Sequence, residues 1–466
     1  MYEFKYSSVI DCDINTVFNW HKNSMALERL TPPWEDISIQ AIDIPKNSFL
    51  LKNGQVSISQ KIAPFLRIPW KVKHINYNEN QSFEDKMIYG PFKYWRHKHV
   101  FEKLPNNRTM ITDLIHYKPF IKVSKIDSYI KEKLKSSFNY RHKITKHDLE
   151  NPFYNSKQET IMVAGSTGLI GSHLIPILNS FGFNIIRLRY NMGKNFSSKS
   201  KKEGIIDIDW NPYDDKKLIL NELKNINIKY LINLAGENIL GYPTKKKKKA
   251  IVNSRVASTQ SLLKIIKDNN INIDCALHAS AIGIYEENNE SVITENSAKG
   301  SGFLARTTIE WEKEQNKFNN LVNRNINMRI GAVLSLKGGM LKNFITPYKF
   351  KIGTRMDYAS NHISTISIED LCRAIIFIIN NKSINGPVNM VSPESTKLNI
   401  IFDLLNQKLN PILKLSVPKK LLSSLGKEIT DEMLFTNHNI IPSVLNQNLF
   451  KFNNENFKSS IQGMIF

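Results

Sequence analysis

Cysteine is scarce in this 466-residue chain: there are three, Cys12, Cys275 and Cys372. They lie far apart, which excludes a CxxC pair and zinc-ligand spacing. Three scattered thiols fit packing roles in a reducing compartment. Acidic residues are also short, 42 against 64 Lys and Arg, for a formal net charge of +22. No apolar run reaches the ~18 residues of a membrane span, and the best candidate, Ala374 to Ile379, reads as a short buried segment. The opening MYEFKYSSVIDCD has early acids and no apolar stretch, which argues against a secretory leader or a transit peptide. The cytoplasm is the expected location. An internal repeat and a low-complexity tail are both lacking.

What is present is ordinary globular composition, 41% hydrophobic and 23% charged, enough to bury a sizeable core. At ~150 residues per domain the length suggests three domains, or two with one large. The basic residues are spread along the chain, so nucleic acid is not the expected partner. The one dense run, Lys245 to Lys249, lies at a helix start and reads first as a solvated face, with a polyanion patch as the minor alternative. The same charge suits an anionic cofactor.

Two textures divide the chain. Residues 1–150 show short alternating strands between helices, as in Val56 and Ile58 against Ser57 and Ser59. Ile126, Ile130, Leu134 and Phe138 recur every four residues and mark one face of a closing helix. This reads as an α+β domain. Residues 151–157 read as a linker. From 158 to 335 short apolar runs (160–164, 184–188, 230–234, 275–280, 328–334) alternate with helical stretches (246–267, 305–318), which implies a doubly wound parallel sheet. Residues 336–466 are less regular and are expected to form a smaller lobe on the substrate side.

The segment TIMVAGSTGLIGSHL places Gly165, Gly168 and Gly171 after a strand and at the start of a helix. Such glycines permit the tight turn, the close approach of a pyrophosphate and helix–strand packing, while the helix start favours anions. Gly165, Ser166, Thr167, Gly168, Leu169, Ile170 and Gly171 are therefore candidate cofactor contacts. The next strand ends in Arg187 and Arg189, with no acid for a ribose hydroxyl. Arginine suits a 2′-phosphate, so NADP is favoured over NAD; the alternative is that both are surface residues.

Further segments follow in order: NLAGENI (233–239), SRVASTQSLL (254–263), ASAIGIY (279–285), ENSAKGSGFLARTTIEWE (295–312), RIGAVLSLKGGML (329–341) and NGPVNMVSP (385–393). Together with GSTGLIG they resemble the NAD(P)-binding epimerase-like family of extended short-chain dehydrogenase/reductases, from about residue 158 to the end. The resemblance implies a Rossmann fold, an NADP-dependent oxidoreductase or epimerase-like activity, and cofactor contacts at Ala235 and Gly236. It also implies a serine at Ser280 that holds the substrate oxygen. The usual Tyr-x-x-x-Lys pair is missing: Gly302 to Arg306 stands where it belongs, with Arg306 near the lysine position. Tyr285 either donates the proton instead or shapes the pocket. Arg255 replaces a frequent active-site Asn, and either clamps an anionic substrate or serves helix structure. Arg306 has the same two readings. Trp311 and Glu312 read as packing and helix-surface residues. The missing pair leaves a second possibility open, a non-catalytic NADP-binding sensor or regulator.

WHKNSMALERLTPPWE (20–35), GPFKYWRHKHVFE (90–102) and FNYRHKITKHDLE (138–150) resemble the START/polyketide-cyclase-like superfamily. That resemblance implies a helix-grip fold that holds a small hydrophobic or amphipathic ligand, with Trp20, Trp34, Trp70 and Trp95 as core or cavity wall. His21, His97, His99 and His142 invite a metal reading. His97 and His99 alternate beside Trp95 and Arg96 in such a domain, so no metal is expected. Oligomeric state is not legible.

Overall fold

The computed structural model describes residues 1–43, 53–63, 66–121, 123–154, 159–190, 203–214, 226–239, 242, 244–287, 292–419, 432 and 434–464. The chain forms two compact units. One comprises Met1–Gln158, Pro176–Phe183 and Ser200–Ile205; the other comprises Glu159–Ile175, Asn184–Lys199 and Ile206–Phe466.

In the first unit β1 (Tyr2–Ile10), helices α1 (Ile14–Lys22) and α2 (Ala26–Leu30), and strands β2 (Ile37–Asp43), β3 (Gln55–Ala63), β4 (Leu66–Asn78), β5 (Ser82–Tyr89), β6 (Tyr94–Leu104) and β7 (Arg108–Lys118) precede the 26-residue α3 (Ser124–Leu149). The strands form one seven-stranded sheet in the order β1-β7-β6-β5-β4-β3-β2, and its ladders are antiparallel. Asn80 between β4 and β5, and Asn106 and Asn107 between β6 and β7, take positive φ, a conformation asparagine tolerates in tight turns. The Asp13 side chain accepts the Thr16 N–H at 3.0 Å and caps α1. The core contains Phe18, Trp20, Phe83, Phe101 and Ile111, and beside it Trp95, Ile115, Tyr117 and Phe138. Of the four residues at that spacing, Ile130, Leu134 and Phe138 pack inward from α3, while Ile126 is outside these clusters and Ile144 and Leu149 join the core farther along the helix.

The second unit is built on β8 (Thr160–Ala164), the first seven residues of α4 (Leu169–Ser180), β9 (Asn184–Arg189), all but the first residue of β10 (Ile205–Asp209), β11 (Ile228–Asn233), α5 (Lys245–Asp268), β12 (Ile273–Ala281), α6 (Phe303–Gln315) and β13 (Val322–Ile330). Farther on come β14 (Ala332–Leu334), α7 (Gly339–Ile345), β15 (Ile352–Arg355), β16 (His362–Ile363), β17 (Thr365–Ser367), α8 (Ile368–Asn380), β18 (Gly386–Met390), β19 (Thr396–Lys397), α9 (Leu398–Leu409), β20 (Leu413–Ser416), α10 (Ser443–Gln447) and α11 (Phe457–Gln462). Its main sheet has the order β10-β9-β8-β11-β12-β13-β18, with parallel ladders from β9 through β18. β8 is buried along its whole length, as expected of a strand covered on both faces. The strand order reverses between β8 and β11, which opens a crevice at their carboxyl ends.

The doubly wound parallel sheet expected from the sequence is present. Residues 336–466 lie in the same compact unit as that sheet. β18 pairs with β13 as the seventh strand of the main sheet, and α8 is almost wholly buried. The remainder forms three two-stranded pairs around a second core that includes Leu341, Leu398, Phe402 and Phe457. The expected linker at 151–157 lies partly outside the described residues.

Packing of the first turn sets a stability test. A Cβ at Gly171 would stand 2.3 Å from the Gly165 carbonyl oxygen. Gly171→Ala is therefore expected to destabilise the fold by ~1–3 kcal/mol, the usual cost of overpacking, seen as a lower denaturant midpoint. An unchanged midpoint would show that α4 and β8 can separate without cost.

Candidate functional site in the parallel-sheet unit

The glycine-rich turn sits at the crevice. Gly165 has φ +79° and lies so close to the next strand's loop that a Cβ would be 2.5 Å from the Leu234 carbonyl carbon. Gly165 and Gly171 are thus required by the fold itself. Gly168 is not: an added Cβ would meet only the Gly165 oxygen, at 3.4 Å, and no positive φ is imposed there. The side of Gly168 that faces the crevice is open. Beside it the Ser166 Oγ is buried without a hydrogen-bond partner among the described residues. α4 starts at Leu169, so its free N–H groups and dipole favour an anion at this turn. An open glycine, an orphaned buried hydroxyl and a helix start together fit a dinucleotide pyrophosphate.

The opposite wall is the turn after β11. The Ala235 N–H donates to Asn233 Oδ1 at 3.2 Å, and the Glu237 N–H to Ser254 Oγ at 2.9 Å. α5, capped by the Thr244 hydroxyl, carries Lys245–Lys249 in its first turns, and Lys247 pairs with Glu237 at 2.6 Å. Arg255 lies one step deeper. Its Nη1 donates to the Glu237 and Ile251 carbonyls, both at 3.0 Å, and its guanidinium lies 5.0 Å from the centre of the Trp311 ring. Burial lowers its pKa to about 10, against the pull of Glu237's charge, so it remains a cation at neutral pH. A Cβ on Gly236 would touch this guanidinium.

Arg187 and Arg189 occupy β9 as expected, but they share a partner the sequence did not suggest. Arg187 forms a fork with both oxygens of Asp207 on β10, at 2.6 and 2.7 Å, and Arg189 reaches the same carboxylate with Nη1 at 3.3 Å. The guanidinium face of Arg187 is therefore committed to the sheet.

Ser280 and Tyr285 are brought together, within a buried network. Ser280 Oγ donates to Glu312 Oε1 at 2.7 Å. Glu312 is held by Arg329 through Nε at 2.9 Å and Nη2 at 3.0 Å. Arg329 Nη1 then donates to the Tyr285 hydroxyl and to the Glu295 carbonyl, both at 2.9 Å. The Tyr285 hydroxyl in turn donates to Asn389 Oδ1 at 2.5 Å. Burial pulls the Arg329 pKa down, but the bonds to Glu312 outweigh it and the net shift is upward. Tyr285, only 3% exposed, moves the other way from a catalytic tyrosine: burial raises it to about 12 despite Arg329. Neither Arg255 nor Arg306 is the cation beside it. Arg306 is exposed and donates to the Ser301 carbonyl. Glu312 is 3% exposed, which corrects its reading as a helix-surface residue: burial forces the carboxylate to take a cation, and Arg329 supplies it. Trp311 is a packing residue, as expected.

The start of α6, where a Tyr-x-x-x-Lys pair belongs, is closed by the Glu432 carboxylate. It accepts the Phe303 and Leu304 N–H groups at 2.9 and 2.7 Å. Arg329 and Asn389 lie in segments that carry the family resemblance but were given no role there, Asp207 and Glu432 carry no local motif, and the partners they meet in space reveal all four.

Over residues 161–308 the sequence matches the NAD dependent epimerase/dehydratase family. It is 31% identical over 234 residues to the epimerase family protein YfhF of Bacillus subtilis, covering 50% of this chain and 74% of that one. The chain belongs to the epimerase family. A second relative in this family, from Staphylococcus haemolyticus, is 28% identical over 305 residues, covering 65% of this chain and 98% of its own. Among solved structures the fold is similar to that of the nucleoside-diphosphate sugar epimerase of Corynebacterium glutamicum. That likeness has a TM-score of 0.74 at 22% identity, over 99% of this chain and 90% of that one. A human epimerase family protein solved with NADPH has a TM-score of 0.55 at 19% identity, over 66% and 98%.

The charge pair gives this epimerase-family protein a clear stability test. Arg329→Met strands Glu312 as a lone buried charge and should cost ~3–5 kcal/mol. Adding Glu312→Leu should restore most of that loss in a denaturant titration. A single variant as stable as the parent would mean that water already reaches the pair.

Proposed function

We propose that the parallel-sheet unit binds NADP in preference to NAD at the Gly165–Gly171 turn and catalyses an epimerase-like redox reaction. The observation that carries this reading is Gly168, a glycine its own fold does not require, open to the crevice at the switch in strand order. The family supports it. When bound, a nicotinamide cofactor supplies hydride transfer. The chain's part is to hold it. The Ser166–Gly171 backbone and the start of α4 would bind the pyrophosphate. Arg189 at the end of β9 would meet the 2′-phosphate while Arg187 and Asp207 keep that strand end in place. Ala235 and Gly236 would form the opposite wall. Arg255 supplies a buried positive charge next to that wall, suited to an anionic substrate group.

In this reading Ser280 orients a substrate oxygen and Tyr285 is the candidate proton donor, with Arg306 outside the site. The raised Tyr285 pKa favours a second reading in one respect, since a tyrosine locked between Arg329 and Asn389 is better suited to positioning than to proton transfer. A cofactor-binding sensor without turnover would then remain. For the first unit we propose a helix-grip domain that holds an apolar or amphipathic ligand. The support is its antiparallel sheet, its long closing helix and the ring cluster of Trp70, Phe92, Trp95 and Tyr117.

Gly168→Asp puts a carboxylate where a pyrophosphate would lie, and its Cβ meets the protein only at the Gly165 oxygen, 3.4 Å away. It should fold normally yet lose NADPH fluorescence quenching, and undiminished quenching would refute the site. Arg189→Ala should weaken NADP ~10-fold, about 1.4 kcal/mol, and leave NAD nearly unchanged; an equal loss for both would remove the arginine from cofactor selection. Tyr285→Phe keeps the ring. If Tyr285 is the acid, turnover in an NADPH-linked substrate screen should fall ~10²–10⁴-fold with cofactor binding intact. Full activity in that variant would leave Tyr285 a positioning residue.

A further inference from the structure

Four neighbouring strands of the first unit place ionisable side chains on one face of the sheet. His74 on β4 stands opposite Asp85 on β5, Asp85 opposite His97 on β6, and His99, two residues farther along β6, opposite Asp113 on β7. Residues two apart on a strand share a face. α3 contributes His142 from above, whose Nε2 meets Asp113 Oδ2 at 2.5 Å.

Asp113 also takes His97 Nε2 at 2.7 Å and His99 Nδ1 at 2.6 Å, both on Oδ1. A carboxylate acceptor requires the proton on each of those nitrogens. In the neutral form of each ring that leaves His97 Nδ1 and His99 Nε2 as lone pairs. Neither has a hydrogen-bond partner among the described residues, although His97 is only 6% exposed. Asp85 is paired through Oδ1 with His74. One ligand atom from each of Asp85, His97 and His99 lies within 4.8 Å of the other two. His97 is buried and His99 half-buried, and the single Asp113 carboxylate holds both rings in place.

We propose that this face binds one divalent d-block metal ion of the Zn2+ class through Asp85, His97 and His99, with Asp113 as the outer carboxylate. A metal-ligating histidine typically gives its other N–H to a carboxylate that fixes its tautomer, and here a single aspartate serves both rings. Two imidazoles and one carboxylate form a set that suits such ions and leaves a coordination position for water or a ligand oxygen. The sequence argued against a metal because His97 and His99 alternate beside Trp95 and Arg96 in a domain that resembles binders of apolar ligands; Asp85, from the neighbouring strand, was not part of that reading. The proposal is independent of the cofactor reading of the second unit.

The test uses the full chain stripped with a chelator. Calorimetric titration with Zn2+ should give one equivalent per chain, and Co2+ should give a visible d–d band that Zn2+ abolishes. Asp85→Asn and His99→Ala should remove both signals. Asp113→Asn should weaken binding ~10–100-fold, and His116→Ala, away from the cluster, should leave it unchanged. No stoichiometric isotherm and no Co2+ band in the folded parent chain would overturn the proposal without any variant. So would binding at parental strength in folded Asp85→Asn and His99→Ala.

Discussion

The ends of three strands and the last turn of a helix in the parallel-sheet unit depend on one buried charge pair, Arg329 with Glu312. Arg329 rises from β13 and Glu312 descends from α6, and their bonds reach Ser280 at the end of β12 and, through Tyr285, Asn389 on β18. Neither charge could remain buried without the other. Once both are present, each remaining donor on the guanidinium needs an acceptor, and the Tyr285 hydroxyl and Glu295 carbonyl provide them. The wall behind the crevice is therefore rigid for electrostatic reasons. The glycine-rich turn opposite is set instead by steric contact.

That difference explains what the sequence made legible. Steric demands leave a local mark: Gly165 and Gly171 are spaced by the turn they make, and β8, β9, β11 and β12 are apolar because both faces are covered. Electrostatic demands leave none. Arg329 lies 17 positions from Glu312 and Asp207 lies 20 from Arg187, separations with no periodicity. So Tyr285 was legible as a residue near Ser280 but not as one whose neighbouring cation is Arg329. β10 and β18 escaped for a related reason. β10 lies at the sheet edge and alternates Ile with Asp, while β18 is five residues that begin with Gly-Pro.

The antiparallel-sheet unit shows the same division. The inward stripe of α3 was visible as a four-residue period. The meeting of His74, Asp85, His97, His99 and Asp113 depends on cross-strand register, which one-residue slips would abolish.

The lysine run at the start of α5 has a kinetic consequence. Five cations sit where the helix dipole is already positive, an arrangement that costs some helix stability. Lys247 of this run pairs with Glu237 in the turn after β11, so the charge stands beside the mouth of the crevice. An anion approaching the turn meets an attractive potential before it makes contact. Its encounter rate should fall steeply as salt rises, while its escape, governed by the short-range contacts inside, changes little.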